Sequence, residues 1–262
     1  MTGQQPFEPL GLPPQPEQQP PSAPPIVPPR EPFWSYTDLA IFAGLAIPCL
    51  LLGVGLVRVF EFVFHIQVRL RTMELLPAQF LGYGLMFAGL MLLFRWQYDR
   101  PFWRSLGWTS LRLSPFVIVI AGLVTAFGVS GISLLLKTPT TSNPMTDMLQ
   151  NRASLILVAL FGLTIGPLSE ELAFRGLLQP LVVRSLGVAP GILVAAVPFG
   201  LLHFQEYGNS WRHAVLISLA GAAFGAMRQV TGSTRASTLM HSSYNALFFL
   251  ALLLDPSQLP HQ

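Results

Sequence analysis

Three short spacings in this sequence could do chemistry. SEELAFRG sets Glu170 and Glu171 side by side, with Arg175 four residues after the second. VPFGLLHF sets Phe199 four residues before His203, and STLMHSSYNALFF sets His241 four residues before Asn245. Helical positions four apart share a face, so each spacing presents two side chains together. Glu171 and Arg175 therefore meet, acid N-terminal to base. Glu170 is rotated about 100° away and can point into a cavity. A glutamate in a low-dielectric pocket holds its proton more firmly and suits general-base work near neutral pH. A neutral histidine can hold the same water, and a second histidine with an asparagine amide can donate to a developing oxyanion. Together these residue types describe water-mediated hydrolysis of an acyl bond, foremost a peptide.

Other hydrolytic chemistries lack their signatures. No Gly-x-Ser-x-Gly elbow is present, and the single cysteine, Cys49, sits inside an apolar run with no catalytic context, which argues against a covalent nucleophile. Cys49 reads as a small apolar helix residue. No His-Glu-x-x-His helix offers a zinc site.

The elements that position these residues must lie in a membrane. Hydrophobic residues make up 52% of the 262 and charged residues 10%, against the roughly 25% charged of a soluble domain. Helices are expected at about 37–59, 75–95, 115–136, 153–182, 188–204, 212–229 and 235–254. The expected fold is an all-α, polytopic transmembrane bundle of about seven spans, seven to eight, around an intramembrane polar cavity. Pro48 could kink the first span, and 60–74 could be an interfacial helix. Gly166-Pro167 marks a kink or the start of a second half-helix. Gly162/Gly166 and Gly221/Gly225 have the small-xxx-small spacing of close helix packing.

Residues 1–33 form an expected disordered Pro/Gln-rich tail, because 12 of the 24 prolines precede Phe33. A plain tail is the preferred reading over a partner-binding tract. The helical domain then covers 34–254, with the chemical motifs in 153–254, and 255–262 is a C-terminal tail. The 95–114 loop carries Arg95, Arg100, Arg104 and Arg112, so it should be cytoplasmic. Seven spans then put the N-terminus in the cytoplasm and the C-terminus outside. Arg58, Arg69, Arg71, Lys137 and Arg152 on the opposite side keep the bias modest. The expected location is the cell (inner) membrane. The expected partners are membrane lipid and a peptide or protein substrate. No basic stripe with interleaved aromatics points to nucleic acid.

Each intramembrane charge costs about 2.5–3.5 kcal/mol on insertion scales, so the SEELAFRG cluster should face protein and pair. His65, His213 and His261 read as solvated surface, and Glu206 as a loop carboxylate that could rim the cavity. Trp34, Trp96, Trp103, Trp108 and Trp211 fall near span ends, as in an interfacial aromatic belt.

The three motifs resemble those of the CPBP family, which groups type II CAAX prenyl endopeptidases with bacteriocin-processing and immunity proteins. The family pattern is Glu-Glu-x-x-x-Arg, Phe-x-x-x-His and His-x-x-x-Asn, extended here by Phe174 and Gly176. The likeness covers about 153–254. It implies an intramembrane endopeptidase, a hydrolase of the CAAX type, acting on a membrane-associated or lipidated substrate. Glu170 would be the general base and His203 would orient the water. His241 and Asn245 would stabilise the oxyanion, and Glu171, Arg175 and Phe199 would support the site. The family has been described both as metal-dependent and as a metal-free glutamate type. A divalent ion such as zinc, if bound, would take Glu170, His203 and His241. The balance tips slightly to the metal-free reading, because Glu171, the remaining base, is paired with Arg175. The alternatives are a non-enzymatic immunity or scaffold protein of the same family and, less favoured, a proton-coupled transporter. The chain shows no repeat between its halves to support transport.

Overall fold

Ser35 opens the first long helix. Its amide donates to the Asp38 carboxylate at 2.7 Å while its hydroxyl accepts from the Asp38 amide, a reciprocal capping box. The Tyr98 hydroxyl donates to the same carboxylate at 2.7 Å, so the buried Asp38 is satisfied. The computed structural model describes residues 2–3, 31–66, 71–139 and 152–254. Its folded unit begins at Glu31. The described residues contain helices and no strand.

The order is α1 (Tyr36–Val63), α2 (Arg71–Tyr98), the one-turn α3 (Phe102–Ser105), α4 (Pro115–Leu135), α5 (Arg152–Leu163) and α6 (Ile165–Glu171). A π-helical segment, Leu172–Leu178, follows, then α7 (Gln179–Leu186), α8 (Val188–Leu202), α9 (Trp211–Thr231) and α10 (Thr234–Leu254). The seven expected helical stretches are all present, and the bundle is polytopic. Among the described residues, five stretches are long and apolar enough to cross a bilayer: Tyr36–Val63, Thr72–Tyr98, Pro115–Leu135, Ser154–Leu186 and Trp211–Thr231. Helix α8 has 15 residues, which rise only about 22 Å against a hydrocarbon core of about 30 Å. Helix α10 has span length, but its first half carries the polar STLMHSSYN run.

Several expectations need correction. No separate interfacial helix forms from the described part of 60–74: α1 continues to Val63, α2 starts at Arg71, and 67–70 lie outside the described residues. The tail boundary at 33 is too late, because Phe33 packs on the rings of Trp34, Phe94 and Tyr98. Trp34 itself is a core residue rather than part of an interfacial belt. Residues 4–30 and 255–262, with His261, lie outside the described residues. His213 lies in α9 and stacks on Tyr207 at 4.6 Å, so it is not simply solvated surface.

Three apolar clusters hold the bundle. Trp34, Phe42, Leu90, Phe94, Phe102 and Leu106 pack on Leu172, Leu177 and Leu181 of the site helix. Ile118 and Val129 of α4 pack on Leu216, Phe224 and Met240 of α9 and α10. Leu76, Leu155, Val158 and Phe249 join α2, α5 and α10. Glycine permits the closest crossings. A Cβ on Gly122 would lie 2.4 Å from the Met240 carbonyl oxygen, one residue before His241. Backbone cannot yield there without moving α10. Gly122→Ala should therefore destabilise the protein by about 1–3 kcal/mol, the usual range for overpacking. A lower melting temperature in detergent checks it.

Candidate active site

The site begins with a helix that breaks. Thr164 leaves helical geometry at φ −127° and ψ −78°, and α6 restarts with Pro167 in its first turn, where a missing N–H costs nothing. The break falls within two residues of the expected Gly166-Pro167 kink. The π-helical Leu172–Leu178 that follows was not foreseen. There the Gln179 amide bonds the Phe174 carbonyl five residues back. π-Helical turns are rare and are frequent at functional sites.

Arg175 projects from this segment and is 1% exposed. Its Nη1 donates to Glu171 Oε1 at 2.9 Å and its Nη2 to the Gly221 carbonyl at 2.7 Å. The guanidinium lies 4.4 Å from the Phe199 ring centroid, 5.5 Å from Phe224 and 5.8 Å from Phe174. Aromatic faces replace part of its lost hydration. Glu171 is 0% exposed, and its Oε1 also accepts from His241 Nδ1 at 3.0 Å. This bond orients the imidazole. The ring stacks on Phe224 at 4.5 Å and turns Nε2 toward Glu170 Oε2, 3.8 Å away. That gap exceeds a direct hydrogen bond. Glu170 keeps 30% of its side chain accessible, unlike the enclosed Glu171.

The other two expected residues, His203 and Asn245, bond to backbone carbonyls. His203 Nδ1 donates to the Phe199 carbonyl at 2.8 Å, which leaves Nε2 as the acceptor in the neutral ring. The Phe199 ring stands between the two imidazoles, 5.1 Å from His203 and 5.9 Å from His241. Asn245 donates one amide N–H to the Gly162 carbonyl at 2.8 Å. This bond ties α10 to the end of α5, and the amide has a second N–H. Among the described residues no three His, Cys, Asp or Glu side chains lie close enough to hold an ion.

Two further contributors, Gln179 and Tyr83, were not singled out from sequence. Gln179 continues the Glu171–Arg175 row by four residues and donates to the Gly225 carbonyl at 3.0 Å. Arg175 and Gln179 thus reach the carbonyls of the two glycines in GAAFG. A Cβ on Gly221 would come within 2.8 Å of Phe199 and 3.0 Å of Arg175. Tyr83 of α2 lies within electrostatic range of Glu170 and Glu206. Glu206, in the turn after α8, interacts with His203 and Glu170. Partial burial holds its carboxyl above the usual carboxylate range; His203 opposes the rise and the charge of Glu170 adds to it. Glu206 thus belongs to the electrostatics of the site as well as to the loop.

Arg175→Met would leave Glu171 charged, buried and without its cation. Breaking such a pair from one side costs about 3–5 kcal/mol. Glu170, partly accessible and outside that pair, should tolerate replacement by glutamine within about 0.5 kcal/mol. Thermal melts of the two variants beside the wild type check the contrast.

No curated protein and no solved structure matches the chain significantly. A family model does match, over residues 152–247, the stretch from the start of α5 into α10 that contains every motif residue above. It is described as Type II CAAX prenyl endopeptidase Rce1-like, so the matched region is similar to that endopeptidase family, the one that the three motifs also resemble.

Proposed function

We propose that the chain is an intramembrane endopeptidase that hydrolyses a peptide bond of a membrane-associated or lipidated substrate with a water activated by Glu170. The alignment Glu171–His241–Glu170 carries this reading. Glu171 already has Arg175, so one further proton between Glu170 and His241 brings the two carboxylates, the guanidinium and the imidazole to neutrality. Glu170 accepts a proton from water as the hydroxide equivalent adds to the scissile carbonyl. His203 Nε2, freed by the Nδ1 bond to Phe199, accepts from that water and orients it. His241 Nε2–H and the second N–H of Asn245 donate to the oxyanion. Glu170 then passes its proton to the leaving amine as the C–N bond breaks. The match to an endopeptidase family over the same residues supports this assignment.

The mechanism proposed is metal-free, because Glu171, the remaining base for a metal-bound water, is committed to Arg175 and His241. The 95–114 loop, with its four arginines, supports a cytoplasmic N-terminus in the cell membrane.

Glu170→Gln retains the size of the side chain and removes the base. Cleavage of a quenched reporter peptide in proteoliposomes should fall by about 10²–10⁴-fold, the usual worth of a positioned general base. Pre-treatment of the wild type with a zinc chelator should leave the rate unchanged. Full turnover by Glu170→Gln would remove that residue from its role, and a chelator-induced loss restored by added zinc would replace the metal-free mechanism.

A further inference from the structure

The residues just before α1 and its first residue reach back to the far half of the site helix. The Trp34 indole N–H donates to the Leu177 carbonyl at 3.0 Å, and the ring is 2% exposed. The Tyr36 hydroxyl donates to the Leu181 carbonyl at 3.2 Å and lies 2.8 Å from the Ser185 hydroxyl. The Arg184 guanidinium donates to the Pro32 carbonyl. Trp34, Leu172, Leu177 and Leu181 share one apolar cluster, so the Trp34–Leu177 hydrogen bond forms in a dry setting.

Their position matters because of the π-helical turn. Relative to an α-helix, such a turn carries one extra residue, worth about 100° of rotation between the parts on either side. Glu170 and Glu171 precede the insertion, Arg175 lies within it and Gln179 follows it. Glu171 bonds His241 of α10 while Arg175 and Gln179 bond carbonyls of α9. This register satisfies all three at once. Relaxation to a plain α-helix would turn one half away from its partners. Leu177 is the penultimate π-helical residue, and its carbonyl is where Trp34 takes hold.

We propose that Trp34 is a positioning residue: its bond to the Leu177 carbonyl holds the π-helical register that directs Glu170 at His241. The effect on turnover rests on the endopeptidase reading above; the effect on the helix does not.

Hydrogen exchange and peptide cleavage test the two separately. Trp34→Phe keeps an aromatic ring and removes the donor. Amides of Leu177–Leu186 should exchange about threefold to tenfold faster, in line with one modest hydrogen bond. The kcat should fall by a similar factor with KM unchanged. Trp34→His, which keeps a ring N–H, should recover part of both. Tyr36→Phe should speed exchange within α7 and leave kcat alone, because it acts beyond the insertion. Exchange in folded Trp34→Phe indistinguishable from the wild type would overturn the proposal, as would equal kcat losses in Trp34→Phe and Tyr36→Phe. A wild type that cleaves no peptide would count against the endopeptidase reading, while the exchange comparison would still decide the role of Trp34.

Discussion

The Glu171–Arg175 pair is the constraint from which the rest follows. Both groups are buried inside a helix of span length. Coulomb attraction alone rarely offsets the desolvation of two such charges, so the pair must be completed by other donors and acceptors. Here the completion comes from three directions. The Gly221 carbonyl takes one guanidinium nitrogen, the rings of Phe174, Phe199 and Phe224 pack on its surface, and His241 donates to the carboxylate. Besides Phe174, the partners come from three elements, Phe199 from α8, Gly221 and Phe224 from α9 and His241 from α10, so one ion pair fixes the π-helical segment against all three.

That constraint also separates two adjacent carboxylates into different tasks. Glu171 is enclosed and spends its Oε1 on Arg175 and His241. Glu170 lies one residue earlier, turned to the accessible side, with His241 Nε2 as its nearest charge partner. The imidazole spans both. A single residue step in the helix thus divides support from the proposed chemistry. The glycines make the division reachable, because Gly221 and Gly225 let α9 approach close enough for Arg175 and Gln179 to meet its backbone.

Much of this was legible in the sequence, for identifiable reasons. Spans announce themselves by uninterrupted apolar length, so the seven helical stretches emerged within a few residues. The Glu171–Arg175 contact and the Phe199–His203 contact followed from four-residue spacing. The π-helical turn was hidden because it preserves composition and changes only the backbone register. Trp34 was misread as a belt residue because its partner, the Leu177 carbonyl, is 143 positions away and leaves no local signal. Gln179 could have been found, since it extends the Glu171–Arg175 row by one more turn. The share of Asn245 in anchoring α5 depends on the Gly162 carbonyl exposed near the Thr164 break, which spacing alone does not show.

The most direct test of the central constraint is a double-mutant cycle on thermal stability with Glu171→Gln, Arg175→Gln and the two together. The account predicts strong coupling, about 2–3 kcal/mol, because either single replacement strands a buried charge that the double replacement removes. Simple additivity of the two losses would contradict it and would show that the pair is not what holds the site together.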